Sequence, residues 1–190
     1  MFTDRLPRDE SLRAEYFQSD RLCALEVPLD DRFRAPAKCI ETAMEFRQSA
    51  AVREACAEFL FAAADFCGVA RPQIRVLAAR PLRVRESGSA TELFGDYHPE
   101  NKLIRVWMRT AVRKQVTSFG TFLSTLYHEF CHHLDLEQFG FRDSPHTRGF
   151  YGRAALLYHH ARGTPPKRLF WLAMRDGRWR IDWPRTNRGA

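Results

Sequence analysis

The sequence has no long hydrophobic run and only five cysteines. None of its apolar stretches approaches the roughly eighteen residues of a membrane-spanning helix, and the opening MFTDRLPRDE lacks the apolar core of a secretory signal. We therefore expect a soluble, cytoplasmic protein with no membrane partner. The cysteines form no C-x-x-C pair, which argues against a disulfide framework and against a zinc ribbon. They are Cys23, Cys39, Cys56, Cys67 and Cys131.

Acidic residues are scarce near the C-terminus. Residues 139–190 contain 11 Lys and Arg against 3 Asp and no Glu, whereas residues 1–138 contain 19 basic and 20 acidic residues. The excess of basic residues behind the net charge of +7 therefore lies in the C-terminal quarter of the chain. Such a region could attract nucleic acid or another polyanion, and the alternative is a solvated surface that serves solubility.

The length of 190 residues and the 45% hydrophobic content indicate one folded domain with a real core. No internal repeat or low-complexity tract is present. Residues 1–36 mix charges, aromatics and prolines, which predicts an irregular arm with one helical turn around residues 11–18. Residues 37–66 carry apolar side chains three and four apart, which predicts one long amphipathic helix or two short ones, ended by Gly68.

The apolar period then changes from helical to alternating. Residues 72–86 indicate strands interrupted near Pro81, and residues 92–109 indicate two strands joined by a turn at residues 98–101. A stripe that includes Phe122, Leu126 and Phe130 predicts a helix capped by Thr117 or Ser118 and ended by Gly140. A loop and a second amphipathic helix follow. Residues 164–190 read as a basic tail with a hairpin turn at Asp176-Gly177.

Within the first of these helices the segment His128-Glu129-Phe130-Cys131-His132 fits the pattern H-E-x-x-H. Residues four apart lie on one face of a helix, so both imidazoles can reach one metal ion. Glu129 follows the first histidine and can take a proton from water activated by that ion. The alternative is a polar helix face that carries solvated histidines.

A catalytic zinc site takes three protein ligands and keeps one position for water. No glutamate follows Glu137, so the third ligand must come from another residue type. The candidates are His146, Asp143, His159 and His160. His146 is best placed, because it lies fourteen positions past His132, which is enough chain to turn back to the motif. His159 and His160 lie about 20 Å further along the next helix.

Three neighbours of the motif have separate expectations. His133 is offset by about 100° from His132 around the helix, so we expect it at the rim or in solvent. Asp135 could accept a hydrogen bond from a ligand's free ring N–H, or it could simply be solvated. Cys131 is expected to be a small core residue that points away from the histidine pair.

The order of these elements resembles the SprT-like zinc metallopeptidases, which include Spartan-type proteases that act on DNA-bound proteins. Gly95 and Tyr97, Ile104 and Val106, HEFCH, and His146 with Phe150 carry the resemblance, over roughly residues 38–160. It implies a zincin-like α+β fold, with N-terminal helices, a small mostly antiparallel sheet, the motif helix and a following helix in residues 37–163. It also implies zinc ligands His128, His132 and His146, with Glu129 as general base. Thr147 stands where the family usually has glycine, and no cysteine-rich ribbon follows.

The expected activity is hydrolysis of a protein or peptide substrate by metal-activated water. Nucleic-acid-associated proteins are one class of substrate that the resemblance implies. Tyr151 or Arg148 could stabilise the oxyanion, although packing or surface roles are the simpler reading of both. Residues 103–107 or 93–97 could offer a sheet edge to the peptide. The rival function is a nucleic-acid-binding module with a structural or inactive metal site, because arginines and tryptophans interleave in the tail. The alternative for the tail is a hairpin with its tryptophans in the core.

Overall fold

The computed structural model describes residues 1–84, 88 and 90–189. Over this part of the chain six α-helices and seven β-strands follow one another, with a 3₁₀ turn at Pro99–Asn101. In chain order they are α1 (Glu10–Arg21), α2 (Arg34–Glu45), α3 (Ser49–Cys67), β1 (Gln73–Ala79), β2 (Leu82–Val84), β3 (Ala90–Glu92), β4 (Gly95–His98), β5 (Leu103–Arg109), α4 (Phe119–Glu137), α5 (Arg148–Arg162), β6 (Trp171–Ala173), β7 (Trp179–Ile181) and α6 (Trp183–Arg188).

The main sheet has three strands in the order β1-β5-β4. The central strand, β5, is parallel to β1 and antiparallel to β4, so Ile104 lies opposite both Ile74 and Tyr97. The β2–β3 and β6–β7 pairs are antiparallel hairpins. The predicted α+β class with a small, mostly antiparallel sheet is therefore confirmed.

The strand order shows which of the two predicted segments, residues 93–97 or 103–107, lies at an edge of the sheet. The predicted strands around residues 93–97 and 103–107 both form, but β5 is covered on both sides and β4 is paired on one side only. Of these two predicted strands, β4 is thus the one at an edge of the described sheet. The predicted break near Pro81 also forms, between β1 and β2, while residues 85 and 86 of the predicted second strand lie outside the described residues.

Helix α4 lies at the centre of the packing, in contact with α2, α5, β4 and β5. The Ser118 hydroxyl accepts from the backbone N–H of Thr121, so of the two predicted caps Ser118 is the one that forms. Its apolar stripe is buried as predicted, and so is Cys131. The core joins this stripe to the sheet and to α2, α3 and α5 through residues such as Phe33, Ile40, Phe59, Leu60, Ile104, Val106, Phe122, Leu126, Phe130, Phe150 and Leu157.

The predicted helical region at residues 37–66 forms two helices rather than one. The chain turns between α2 and α3, where Arg47 adopts a left-handed backbone conformation with φ of 56°. Gly68 caps α3 with φ of 65°, as the stop signal predicted. The helix α4 ends at Glu137, three residues before the predicted stop at Gly140.

The helical turn predicted around residues 11–18 is present, but it is part of a longer helix than the prediction of an irregular N-terminal arm included. Residues 10–21 form a twelve-residue helix, capped by the Asp9 carboxylate, that packs against α5. Its buried contacts are largely polar: the Ser19 hydroxyl bonds to Thr147, and Arg153 donates to the Ser19 carbonyl. A helix that buries polar groups lacks the apolar stripe on which a sequence prediction depends.

The hairpin predicted at Asp176-Gly177 is confirmed, and the helix α6 that follows it was not predicted. Ile181 of this hairpin belongs to the core, Trp171 packs against the core, and Trp183 is exposed. The tryptophans are therefore divided between the interior and the surface. Among the described residues, none of the helices combines the length and apolarity required to cross a membrane.

Candidate metal centre

Two histidines project from the same face of α4 as neighbours. The ring centroids of His128 and His132 are 5.0 Å apart, as four-residue helical spacing requires. Glu129 follows His128 and is almost completely buried, with 5% of its surface exposed. The local structure predicted for the H-E-x-x-H segment is therefore present.

The loop between α4 and α5 returns His146 to this pair. The Nε2 atom of His146 lies 2.9 Å from Nε2 of His128, and one nitrogen from each of the three histidines falls within 4.8 Å of the others. Phe150, one turn along in α5, contacts all three rings at centroid distances of 4.9, 4.6 and 5.1 Å. The Phe150 ring is thus an apolar surface against which all three imidazoles pack.

Hydrogen bonds determine which nitrogen of His132 faces the cluster. The Ser144 hydroxyl donates to Asp135 at 2.9 Å, so its oxygen accepts from Nδ1–H of His132 at 2.8 Å. Because Nδ1 carries the proton, Nε2 of His132 presents a lone pair. Asp135 thus acts on the ligand through Ser144, where the sequence predicted direct contact or a solvated acid.

His146 has a carboxylate partner of its own. Asp4 Oδ2 accepts from the backbone N–H of His146 at 2.8 Å and faces its Nδ1 at 3.1 Å. Burial alone would raise the pKa of Asp4, but the hydrogen bonds from His146 lower it below its ordinary value. An ionised carboxylate accepts only from a protonated Nδ1, and in a neutral ring with that tautomer the lone pair lies on Nε2, the nitrogen that faces His128.

Burial makes the imidazoles poor bases for protons. Desolvation, then the neighbouring His146, lowers the pKa of His128 to about 3. Desolvation, then the neighbouring His128 and His146, lowers the pKa of His132 well below its usual range. These rings are therefore neutral at physiological pH, which is the form that binds a metal.

The carboxyl of Glu129 has the opposite perturbation. Burial, and then the nearby charge of Asp96, raise the pKa of Glu129 to about 8. A cation held by the adjacent histidines would lower this pKa again and favour the ionised form. His128, His132 and His146, beside this buried acid, are therefore a donor set that could hold a divalent metal ion.

A buried ion pair connects the centre to the N-terminal helix. Arg153 of α5 and Asp135 of α4 are both 0% exposed and are joined at 2.6 Å. Arg153 also donates to the backbone carbonyls of Ser19 and Leu22. The hydrogen-bonded chain from α1 through Arg153, Asp135 and Ser144 ends at His132.

His128 and Glu129 form part of the wall of a large cavity. Its volume is about 840 Å³, and its lining comes mainly from Met1, the start of β4, α4, α5, β7 and α6. Gly95 lies beside Glu129, and Tyr151 lines the side next to His146. The cavity is large enough for several side chains of an extended peptide.

The two proposed oxyanion donors have other partners. The Tyr151 hydroxyl donates to the Phe2 carbonyl at 3.0 Å, although the residue lines the cavity. Arg148 is paired with Asp20 and lies over the Trp179 ring at 4.6 Å. Tyr151 is thus positioned at the cavity, whereas the Arg148 guanidinium is engaged between α1 and the hairpin.

Of the remaining third-ligand candidates, none joins the cluster found among the described residues. Asp143 is exposed in the loop, His159 contacts the Thr164 hydroxyl, and His160 packs edge-on against Phe33.

The expectation that His133 lies at the rim or in solvent was wrong. Its ring is completely buried, with Nε2 donating to the Ala70 carbonyl at 2.7 Å and Nδ1 accepting from the Tyr97 hydroxyl at 2.9 Å. An offset of one residue around the helix turned the ring toward the sheet, because β4 packs on that side of α4. His133 therefore ties the edge strand to α4.

Sequence reasoning missed Asp4, Ser144 and Arg153. Asp4 is 142 positions from its partner, and an N-terminal acid has no local pattern that indicates contact with a ligand. A buried arginine inside an amphipathic helix is likewise indistinguishable from a surface one in the sequence.

No known family model, curated protein or solved structure matches this chain significantly.

Proposed function

We propose that the protein is a zinc-dependent metallopeptidase similar to the SprT-like enzymes. The observation that carries the proposal is the convergence of three imidazoles beside the buried Glu129 carboxyl, where His128 and Glu129 line one cavity. His128, His132 and His146 would hold the ion. When bound, zinc supplies a Lewis acid that polarises a peptide carbonyl and acidifies water.

Glu129 is the proposed proton carrier. Its carboxylate takes the proton from the attacking water and delivers it to the amine that leaves, which completes the hydrolysis of the peptide bond. The side chain is held in the cavity between α4 and β4, where bulk water is largely removed. This position lets one carboxyl act first as base and then as acid.

The edge strand β4 is the proposed binding site for the substrate backbone. The Phe94 carbonyl accepts from Trp107 of β5, and alternate residues of an antiparallel strand face opposite sides. Gly95 and Tyr97 therefore direct their backbone groups to the unpaired side. An extended peptide hydrogen-bonded there would pass alongside Glu129.

The test is cleavage of an unfolded protein such as casein by zinc-loaded protein and by the Glu129→Gln variant. We expect a loss of about 10²–10⁴-fold in rate, because the amide cannot accept the proton. Zinc content should stay unchanged in the variant. Equal cleavage by the two proteins would overturn the proposal.

A second candidate function is binding of nucleic acid by the C-terminal region, alone or together with proteolysis of nucleic-acid-associated proteins. Trp183 is exposed, and so are Arg175, Arg180, Arg185 and Arg188. Arginines beside an exposed indole can contact phosphates and stack on a base.

Titration of labelled single-stranded DNA at increasing salt tests this second candidate. Binding that weakens steeply with salt, and weakens further in the Arg185→Ala/Arg188→Ala variant, supports it. Absence of binding at low salt rejects it. Binding by zinc-loaded protein that cleaves no protein would instead favour a purely structural metal site.

A further inference from the structure

The first four residues form an N-terminal segment that lies against the C-terminal hairpin, with one antiparallel bridge between Phe2 and Arg180. The Thr3 N–H donates to the Trp179 carbonyl at 2.8 Å, and the Thr3 hydroxyl accepts from the Trp179 N–H at 2.9 Å. The Met1 carbonyl accepts from Ile181 at 3.3 Å. Thr3 is 1% exposed, so this N-terminal segment (residues 1–4) is packed into the molecule.

The N-terminal segment contacts the candidate metal centre at three points. Met1 lines the cavity with His128 and Glu129, and the Phe2 carbonyl accepts from the Tyr151 hydroxyl. Asp4 exchanges backbone hydrogen bonds with His146, donating to its carbonyl at 2.8 Å while its carboxylate accepts the His146 N–H. The segment therefore borders the site from Met1 to Asp4.

Asp4 is itself held from a second side. Its carbonyl accepts from the Tyr16 hydroxyl of α1 at 3.0 Å. Tyr16 and His146 thus hold the Asp4 backbone and place its half-exposed carboxylate beside Nδ1 of His146. That nitrogen is 3.1 Å from Oδ2, and the opposite ring nitrogen points at His128.

We propose that Asp4 is a positioning residue for the metal, and that the N-terminal segment is an integral part of the metal site. The carboxylate keeps the proton of His146 on Nδ1, directs the lone pair of Nε2 into the cluster and makes that nitrogen a stronger ligand. His146 comes from a loop rather than from α4, so it depends most on such a partner. This inference rests on the proposed binding of zinc by the three histidines.

The test is the Zn²⁺ affinity of the full-length protein, measured by competition with a chromogenic chelator. Loss of a carboxylate partner of a ligating histidine typically costs 10–100-fold in metal affinity, and we expect this loss for Asp4→Ala. Asp4→Asn should lose less, because an amide oxygen still accepts the N–H but carries no charge. The absorption spectrum of the Co²⁺-loaded Asp4→Ala variant should also change.

Asp176→Asn is the matched control. Asp176 accepts from Arg5 at 3.4 Å, so it holds the same end of the chain to the hairpin without touching a histidine. Wild-type affinity is expected for this variant. An equal loss in Asp176→Asn would show that tethering alone matters and would overturn the positioning role.

The outcomes separate this inference from the proposed function. Failure of the wild type to bind zinc would reject both, whereas tight wild-type binding with unchanged affinity in both Asp4 variants would reject this inference alone. The melting temperature of the metal-free variants checks folding. Asp4→Asn decides the question should Asp4→Ala fail to fold.

Discussion

At the scale of single residues, the buried pair of Asp135 and Arg153 combines structural and functional contacts. Asp135 accepts from Ser144 with one oxygen and from Arg153 with the other. Burial raises the pKa of Asp135, and the adjacent Arg153 charge opposes that rise. Removing one member of such a pair leaves the other charge in the interior.

Asp135→Asn is therefore expected to destabilise the protein by about 3–5 kcal/mol, because Arg153 loses its counter-charge. Urea unfolding of the metal-free protein measures this change. Asp143→Asn, which alters an exposed acid in the adjacent loop, is the control and should stay within about 0.5 kcal/mol of the wild type. A cost below 1 kcal/mol for Asp135→Asn would contradict the importance of the pair.

At the scale of secondary-structure elements, α1 and α5 approach each other closely at Gly149. A Cβ atom there would lie 2.0 Å from the Ser19 carbonyl oxygen and 2.8 Å from that of Leu22. Three residues on, a Cβ at Gly152 would meet Cys23 at ordinary contact distances of 3.4–3.5 Å. The same helix thus contains one glycine required by packing and one that is not.

We expect Gly149→Ala to cost about 1–3 kcal/mol, because the added methyl group forces α1 away from α5. Gly152→Ala should be neutral or stabilising, since alanine is the better helix former by about 1 kcal/mol. Thermal unfolding of both variants measures the difference. Equal stability of the two would argue against α1 as a packed element.

Gly95 makes a comparable contact between β4 and α4. A Cβ atom there would lie 2.7 Å from both Glu129 Oε1 and Thr125 Cγ2. Since the Glu129 side chain can move, Gly95→Ala should fold and bind zinc but displace the carboxylate, with a rate loss of up to about 10²-fold. Peptidase assays with metal analysis test this expectation. Wild-type activity would mean that the position of Glu129 beside β4 is not critical.

The elements that sequence predicted well are those with a strong apolar period or a cap. The stripe of α4, the cap at Ser118 and the turn glycine Gly68 all act locally, so their signals lie within a few residues. The interior position of His133 could not be predicted, because it depends on which side of α4 the sheet covers. Only one turn of α1 was predicted, because this helix packs through Ser19 and backbone carbonyls rather than through an apolar face.

At the scale of the whole molecule, the candidate centre gathers residues from both ends of the chain. Asp4, the α4 histidines and His146 meet beneath the C-terminal hairpin, and such long-range contacts have no counterpart in local sequence patterns. These contacts bury Glu129, His128 and His132, so burial disfavours the charged form of each group. Stability should therefore depend on pH in a defined way.

In the metal-free protein the buried groups lower the free energy of unfolding at both low and high pH. The folded pKa of His128 is about 3, so stability is lost as pH falls from about 6.5 to 3; the folded pKa of Glu129 is about 8, so stability is lost as pH rises from about 4.5 to 8. Each loss approaches 1.4 kcal/mol per pH unit.

Glu129→Gln removes the second loss, so the metal-free variant should be more stable than the wild type at pH 8 by a few kcal/mol. The variant should nevertheless lack peptidase activity. Urea unfolding at pH 5 and pH 8 after chelation provides the comparison. A stability difference that is the same at both pH values would show that Glu129 does not titrate between them.

The central claim is that His128, His132 and His146 share one metal ion. Metal analysis of the purified wild type beside His146→Ala tests it most directly, together with the Zn²⁺ affinity of each protein. We predict one zinc per wild-type chain and much weaker binding in the variant, because a third of the donor set is lost. Wild-type protein without stoichiometric metal, or a variant with unchanged stoichiometry and affinity, would contradict the claim.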